Sequence, residues 1–161
     1  MISKDVKLDK GIRIGVAVLV INYKNEILFL KKKDKIENGK KYHGNCYCLP
    51  GGKLEFKETI FSCARRELLE ETNLIADNLE LCGVTELYWE NYNEHWLTFL
   101  VKANKTSGEL KLVEPHKHEF FSWHTINKLP KPIFNADNRS IEKYLTKKLI
   151  DEKNFYYKGF L

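Results

Sequence analysis

Three features of the sequence predict a mixed α/β fold in one compact domain. Residues 13–23 (RIGVAVLVINY) form a β-branched, apolar run of the kind that makes a buried strand. Residues 59–73 and 137–150 each repeat apolar side chains at helical spacing, one window lying between strand-like segments and one closing the chain. The length, 161 residues, suits a single domain.

The elements follow in order. After the first strand, Asn22-Tyr23-Lys24-Asn25 reads as a turn and residues 26–30 (EILFL) as a second strand, the two making a hairpin. Residues 31–45 are polar and lysine-rich with two glycines, the composition of a surface loop. Residues 46–49 are short and apolar, and Pro50-Gly51-Gly52 ends them. Residues 59–73 form the first helix. Residues 78–90 and 95–103 are two further strands joined by a polar, aromatic loop holding Asn91, Tyr92 and Asn93. Residues 109–112 and 119–123 are short strand candidates. Ile141, Tyr144, Leu145, Lys148 and Leu149 then mark an amphipathic closing helix over 137–150. There is no internal repeat and no low-complexity linker.

Composition narrows the function classes. Hydrophobic residues are 43% and charged residues 30% of the chain, a globular balance rather than a disordered one. The longest apolar run, residues 14–21, has eight residues, far short of the ~18 a membrane span requires. The first residues lack the apolar core of a signal peptide, so a cytoplasmic location is expected. The net charge of +5 is uneven: residues 1–50 carry 11 basic and 5 acidic side chains, and the remainder 16 and 17. A basic first third suits an anionic partner. No aromatic-basic recognition motif accompanies it, so a stable nucleic-acid partner is not expected. Cys46 and Cys48 form C-x-C, not C-x-x-C, and no second pair completes a zinc site, although His116 and His118 lie downstream. Reduced thiols are expected.

The first helix carries an unusual pattern. Wound at 100° per residue, Ile60, Phe61, Ala64 and Leu68 lie along one apolar arc; Glu71 falls inside it, and Glu67 and Glu70 on its edge. A helix needing only solubility would place acids opposite that arc, where Arg65 and Leu69 are. Carboxylates at i, i+3 and i+4 repel one another unless a cation lies between them. A hard divalent ion such as Mg²⁺ takes oxygen ligands and keeps waters for bridging to phosphates. Upstream, Gly51-Gly52 suits a tight loop where backbone carbonyls approach an ion, and Glu58 stands at the helix start. An acidic surface helix with an Arg66–Glu70 pair is the plainer alternative.

Gly52, five residues, Glu58, seven residues, then Arg66-Glu67-Leu68-Leu69-Glu70-Glu71-Thr72-Asn73-Leu74 resembles the Nudix box, G-x5-E-x7-R-E-U-x-E-E-x-G-U, with one departure. Asn73 stands where the family has a glycine in left-handed conformation, and Asn tolerates that conformation best among the other residues. The resemblance implies a Nudix fold, a mixed β-sheet in an α/β/α sandwich carrying a catalytic loop-helix-loop over 1–161. It also implies hydrolysis of a nucleoside diphosphate linked to another group. Carried over by position, Glu67, Glu70 and Glu71 would bind one or more Mg²⁺ or Mn²⁺ ions, with Gly51 offering its carbonyl. Arg66 would orient the glutamates, Glu58 would steady the loop-helix-loop, and Glu67 would be the general base. A further metal-binding glutamate is implied downstream, where Glu114 is favoured over Glu119.

Residues outside the box refine the resemblance. No proline lies between Pro50 and Pro115, unlike the ADP-ribose pyrophosphatases, and the NADH-cleaving motif is absent. Tyr92 lies 18 residues after Leu74, a spacing similar to that of dinucleoside polyphosphate hydrolases. The whole-chain pattern is most similar to MutT-like nucleoside triphosphate pyrophosphohydrolases, including the oxidised-nucleotide diphosphatase type. The implied reaction converts a (deoxy)nucleoside triphosphate to monophosphate and pyrophosphate. Tyr88, Tyr92, Trp96 and Phe134 are candidates to stack on the base and Asn135 to read it; Arg13 and Lys31, Lys32 and Lys33 are candidates for the triphosphate. The alternatives are NDP-sugar, dinucleotide or capped-RNA hydrolysis, or a nucleotide-binding regulator without activity. Homodimers are common in the family.

Overall fold

Strand β1 (Ile12–Val20) is the centre of the molecule, and its alternation explains the layers. In the computed structural model, which describes residues 11–37, 40–42, 44–90, 93–150 and 156–157, β1 is followed by β2 (Glu26–Lys32), β3 (Lys35–Glu37), β4 (Lys40–Tyr42), β5 (Tyr47–Cys48) and β6 (Gly51–Lys53). Then come α1 (Ile60–Thr72), β7 (Ile75–Trp89), β8 (Glu94–Ser107), β9 (His118–Thr125), α2 (Asn135–Thr146) and β10 (Tyr156–Tyr157). A mixed sheet is ordered β10-β7-β8-β1-β6, a second β5-β2-β9, and β3 pairs with β4. Successive strand side chains point to opposite faces. Val16, Val18 and Val20 therefore join Cys63, Ala64 and Leu68 of α1 in one core, while Ala17 and Leu19 join Leu100 and Ile141 of α2 in the other. Each fully buried Val or Leu contributes roughly 1.5–3 kcal/mol. The two helices thus cover opposite faces, giving the expected mixed α/β sandwich.

Helix α1 begins where Thr59 Oγ1 accepts from the Ser62 amide at 3.1 Å. It ends at Asn73, whose φ of 60° and ψ of 14° are left-handed as expected, with its amide donating to the Leu69 carbonyl. Cys63, Ala64, Glu67, Leu68, Glu71 and Thr72 form the buried face. Phe61 departs from the expected arc: it sits at the edge of this stripe and is 40% exposed.

Other expectations need correction. The 22–25 turn forms, with the Asn22 side chain accepting from the Lys24 and Glu26 amides, but no hairpin ladder follows it. Only Ile21 and Ile27 bridge. Both edges of β1 are taken, by β6 antiparallel and β8 parallel, so β2 pairs with β5 and β9 instead. Gly51-Gly52 is not a terminating loop but the edge strand β6. Within 31–45, β2 runs on to Lys32 and the backbone of β3 and β4 forms a small ribbon. Residues 109–112 are not a strand. The Lys111 and Val113 amides close the end of α1, donating to Thr72 and Glu71 carbonyls at 2.9 and 3.2 Å. Helix α2 stops early because Lys147 turns left-handed at φ 54°. The chain then reaches β7, where the Val84 amide donates to the Leu149 carbonyl. Strand β7 begins earlier than expected and ends at Trp89, β8 extends past both expected ends, and residues 91 and 92 of the loop between them lie outside the described residues.

Candidate metal and phosphate site

The site begins with two glycines whose missing side chains leave room for its other parts. A Cβ on Gly52 would overlap the Glu67 carboxylate, and one on Gly51, whose φ is 154°, would overlap the Val16 carbonyl across the sheet. Because β6 is bare at these positions, α1 packs its acidic face directly against strand backbone. The Gly51 amide donates to Glu71 Oε2 at 2.9 Å.

Arg66 ties the acids together. Its Nε and Nη2 donate to the two Glu58 oxygens at 2.8 and 2.9 Å, a bidentate pair. Its Nη1 reaches Glu67 Oε1 at 2.6 Å and Glu70 Oε2 at 3.2 Å, and Nη2 also donates to the Lys53 carbonyl at 3.2 Å. The guanidinium hydrogen bonds hold Glu58 down to about 2. Glu58 also accepts from the Glu55 amide at 3.1 Å, so the turn before α1, the helix and β6 are joined through one guanidinium.

The carboxylates are not equivalent. Burial pushes Glu71 up to about 8, partly offset by the Gly51 amide, with Glu67 and Glu114 adding repulsion. Burial also raises Glu67, against the lowering by Arg66. Glu70 faces outward with its side chain half exposed. Glu71 instead meets Glu114 and His118, and one ligating atom from each lies within 4.8 Å of the others. His118 Nε2 is 3.8 Å from Glu71 Oε1, and Lys117 pairs with Glu114 at 2.7 Å. Burial pushes the imidazole down to about 4, which keeps it neutral at pH 7 with a lone pair for a ligand.

The expected residues divide accordingly. Gly51, Glu58, Arg66, Glu67, Glu70 and Glu71 form one continuous unit, which Glu114 joins; Glu119 is exposed. Lys33 Nζ donates to the Pro115 carbonyl at 2.7 Å, next to Glu114. Arg13 pairs with Glu94 at 3.1 Å and lies over the Trp96 ring. Phe134 packs against Trp89 with ring centroids 5.3 Å apart, Lys32 Nζ lies 4.9 Å from the Phe134 ring centre, and Asn135 opens α2. Tyr92 lies outside the described residues. The sequence reading weighed His118 only as a partner for cysteines, and it gave Lys117 and Asp137 no role in a site. Asp137 is 5% exposed, accepts from the Leu49 amide at 2.9 Å and is pushed up by burial to about 7.

This donor set fits a divalent cation. Glu71 is a buried carboxyl lacking a cation of its own, it faces a second carboxylate and an imidazole, and a positive ion among them would offset its desolvation. The four cysteines are not joined in disulfides. No helix among the described residues is long and apolar enough to cross a membrane.

Comparison with known proteins gives the family. The NUDIX domain family matches residues 11–145. An ADP-ribose pyrophosphatase of Methanocaldococcus jannaschii is 32% identical over 78% of this chain and 69% of its own length. The mouse 8-oxo-dGDP phosphatase NUDT18 is 28% identical over 80% of this chain, which spans only 37% of that protein. Among solved structures, a MutT NUDIX hydrolase from Burkholderia pseudomallei superposes with a TM-score of 0.74 at 28% identity, covering 83% of this chain and 98% of that one.

Proposed function

This chain belongs to the Nudix family, and we propose that it is a metal-dependent hydrolase of nucleoside triphosphates, releasing a nucleoside monophosphate and pyrophosphate. Its 161 residues act as one catalytic domain. The observation that carries the reading is the meeting of Glu71, from the box helix, with Glu114 and His118 from the segment before and at the start of β9. A divalent ion bound at these carboxylates, Mg²⁺ or Mn²⁺, would polarise phosphate oxygens and acidify water.

The chain's own groups supply the rest. Glu71, Glu114, Glu67, Glu70 and the Gly51 carbonyl are the metal-binding set. Glu67 takes the proton of the attacking water as oxygen bonds to phosphorus and the anhydride P–O bond breaks. Arg66 holds Glu67 and Glu70 in place, and Glu58 fixes Arg66 by its two-pronged pair. Phe134 offers a ring face to the base and Asn135 lies beside it, with Tyr92 as a further stacking residue. Lys33 and Arg13 attract the triphosphate.

A second reading, hydrolysis of ADP-ribose, is favoured by the 32%-identical relative named for that substrate. One assay separates the two. With Mg²⁺ or Mn²⁺, products are measured from all (d)NTPs, oxidised and methylated bases, ADP-ribose and dinucleoside polyphosphates. Pyrophosphate and monophosphate from a triphosphate are expected. AMP and ribose phosphate from ADP-ribose alone would install the second reading, and turnover of nothing would remove both. Glu71→Gln is expected to abolish turnover; near wild-type activity would refute the metal assignment.

A further inference from the structure

His118 is 3% exposed, and its polar atoms are poorly served. Its Nδ1 has no hydrogen-bond partner. Its Nε2 has only the Cys48 thiol at 3.9 Å and Glu71 Oε1 at 3.8 Å, the latter beyond hydrogen-bond reach. The single thiol proton of Cys48 has the Leu30 carbonyl as another acceptor at 3.6 Å. A buried imidazole without good partners carries a desolvation cost, and a ligand on Nε2 would offset the part of it that falls on that nitrogen. The neighbours point to that ligand: a ring nitrogen of His118 lies within 4.8 Å of one oxygen each of Glu71 and Glu114, and Nε2 is the nitrogen 3.8 Å from Glu71 Oε1. The position is fixed by the fold, since His118 opens β9 opposite Lys32 of β2 and its amide donates to the Glu114 carbonyl at 3.1 Å. The turn that presents Glu114 therefore presents His118 as well.

We infer that His118 is itself a metal ligand, its Nε2 joining Glu71 and Glu114 to make a mixed nitrogen–oxygen site that prefers a first-row transition ion such as Mn²⁺ to Mg²⁺. The inference rests on the metal-dependent function proposed above and adds to it. Mg²⁺ is a hard ion that takes oxygen ligands, whereas imidazole suits first-row transition ions, so one nitrogen donor shifts the preference. Neither composition nor the box motif carries this information.

The test uses the full chain stripped of metal and loaded with Mn²⁺ alone. Pulsed EPR is expected to show nitrogen modulation from a coordinated imidazole, and growth on ¹⁵N-histidine is expected to change that signal. In His118→Gln the signal is expected to vanish. The Mn²⁺ affinity is expected to fall at least as far as the ~10–100-fold typical of losing an outer-shell partner, with a smaller change for Mg²⁺. The isotope experiment needs no substitution, so it stands even if the variant misfolds. Bound Mn²⁺ without histidine nitrogen, or a signal that survives in folded His118→Gln, overturns the inference and leaves metal-dependent hydrolysis intact. Failure to bind Mn²⁺ or Mg²⁺ at all overturns both.

Discussion

Replacing Asp137 by Asn should remove a pH dependence from the stability of this protein. Asp137 lies in the first turn of α2, where the helix dipole favours an anion, but burial outweighs that and pushes the carboxyl from 3.8 to about 7. Its acceptor role toward the Leu49 amide is one an Asn oxygen can keep. Because the folded value is raised, the unfolded chain loses its proton first. Between 3.8 and about 7 the native state binds more protons, so stability falls as pH rises and levels off above both values. The full effect is about 4 kcal/mol, more than half of which accrues between pH 5 and pH 8. Urea denaturation of wild type and Asp137→Asn at pH 5, 6.5 and 8 measures it. The buried amide group of the variant adds only a pH-independent offset, so the difference between the two proteins should shift in the variant's favour by that increment as pH rises. Parallel pH profiles would refute the reasoning.

Three further outcomes follow from the same geometry. Gly52→Ala places a methyl group where the Glu67 carboxylate lies; activity should fall about 100-fold or more with helix content unchanged by circular dichroism. Glu58→Gln weakens the bidentate pair with Arg66 and should cost about 1–2 kcal/mol at pH 7 by chemical denaturation. Glu58 is held at about 2, so its contribution is present above the ordinary carboxylate range and lost as pH falls through that value, and the gap between variant and wild type should close there. Asn73→Ala should cost about 1–2 kcal/mol for the left-handed residue, read as a lower Tm. Asn73→Gly should be close to neutral, because conformational relief offsets the lost Nδ2 hydrogen bond to the Glu109 carbonyl.

Much of the site was legible because it is local. A helix brings residues three, four and seven apart onto one face whatever the rest of the chain does, so the misplaced acids of residues 66–71 were visible in the bare spacing. The left-handed Asn73 could be read for the same reason, since a helix end is decided by its own few residues. Strand pairing was less legible. The turn at 22–25 formed without its hairpin because pairing depends on which edges are free, and the edges of β1 were taken by strands distant in sequence.

The sequence by itself therefore determined the box helix, its left-handed end at Asn73, and a mixed α/β architecture around a buried β1. Tertiary structure decided what the inward acid meets and how the two edge acids divide: Glu71 is buried against Gly51 and Glu114, Glu67 is buried too, and Glu70 is left half exposed on Arg66. It also brought His118 to Glu71, 47 positions away in the chain. Periodicity reports only neighbours on one element. The meeting of α1 with the turn before β9 is set by sheet order and by the 109–113 segment that closes the helix end, and no local pattern encodes it.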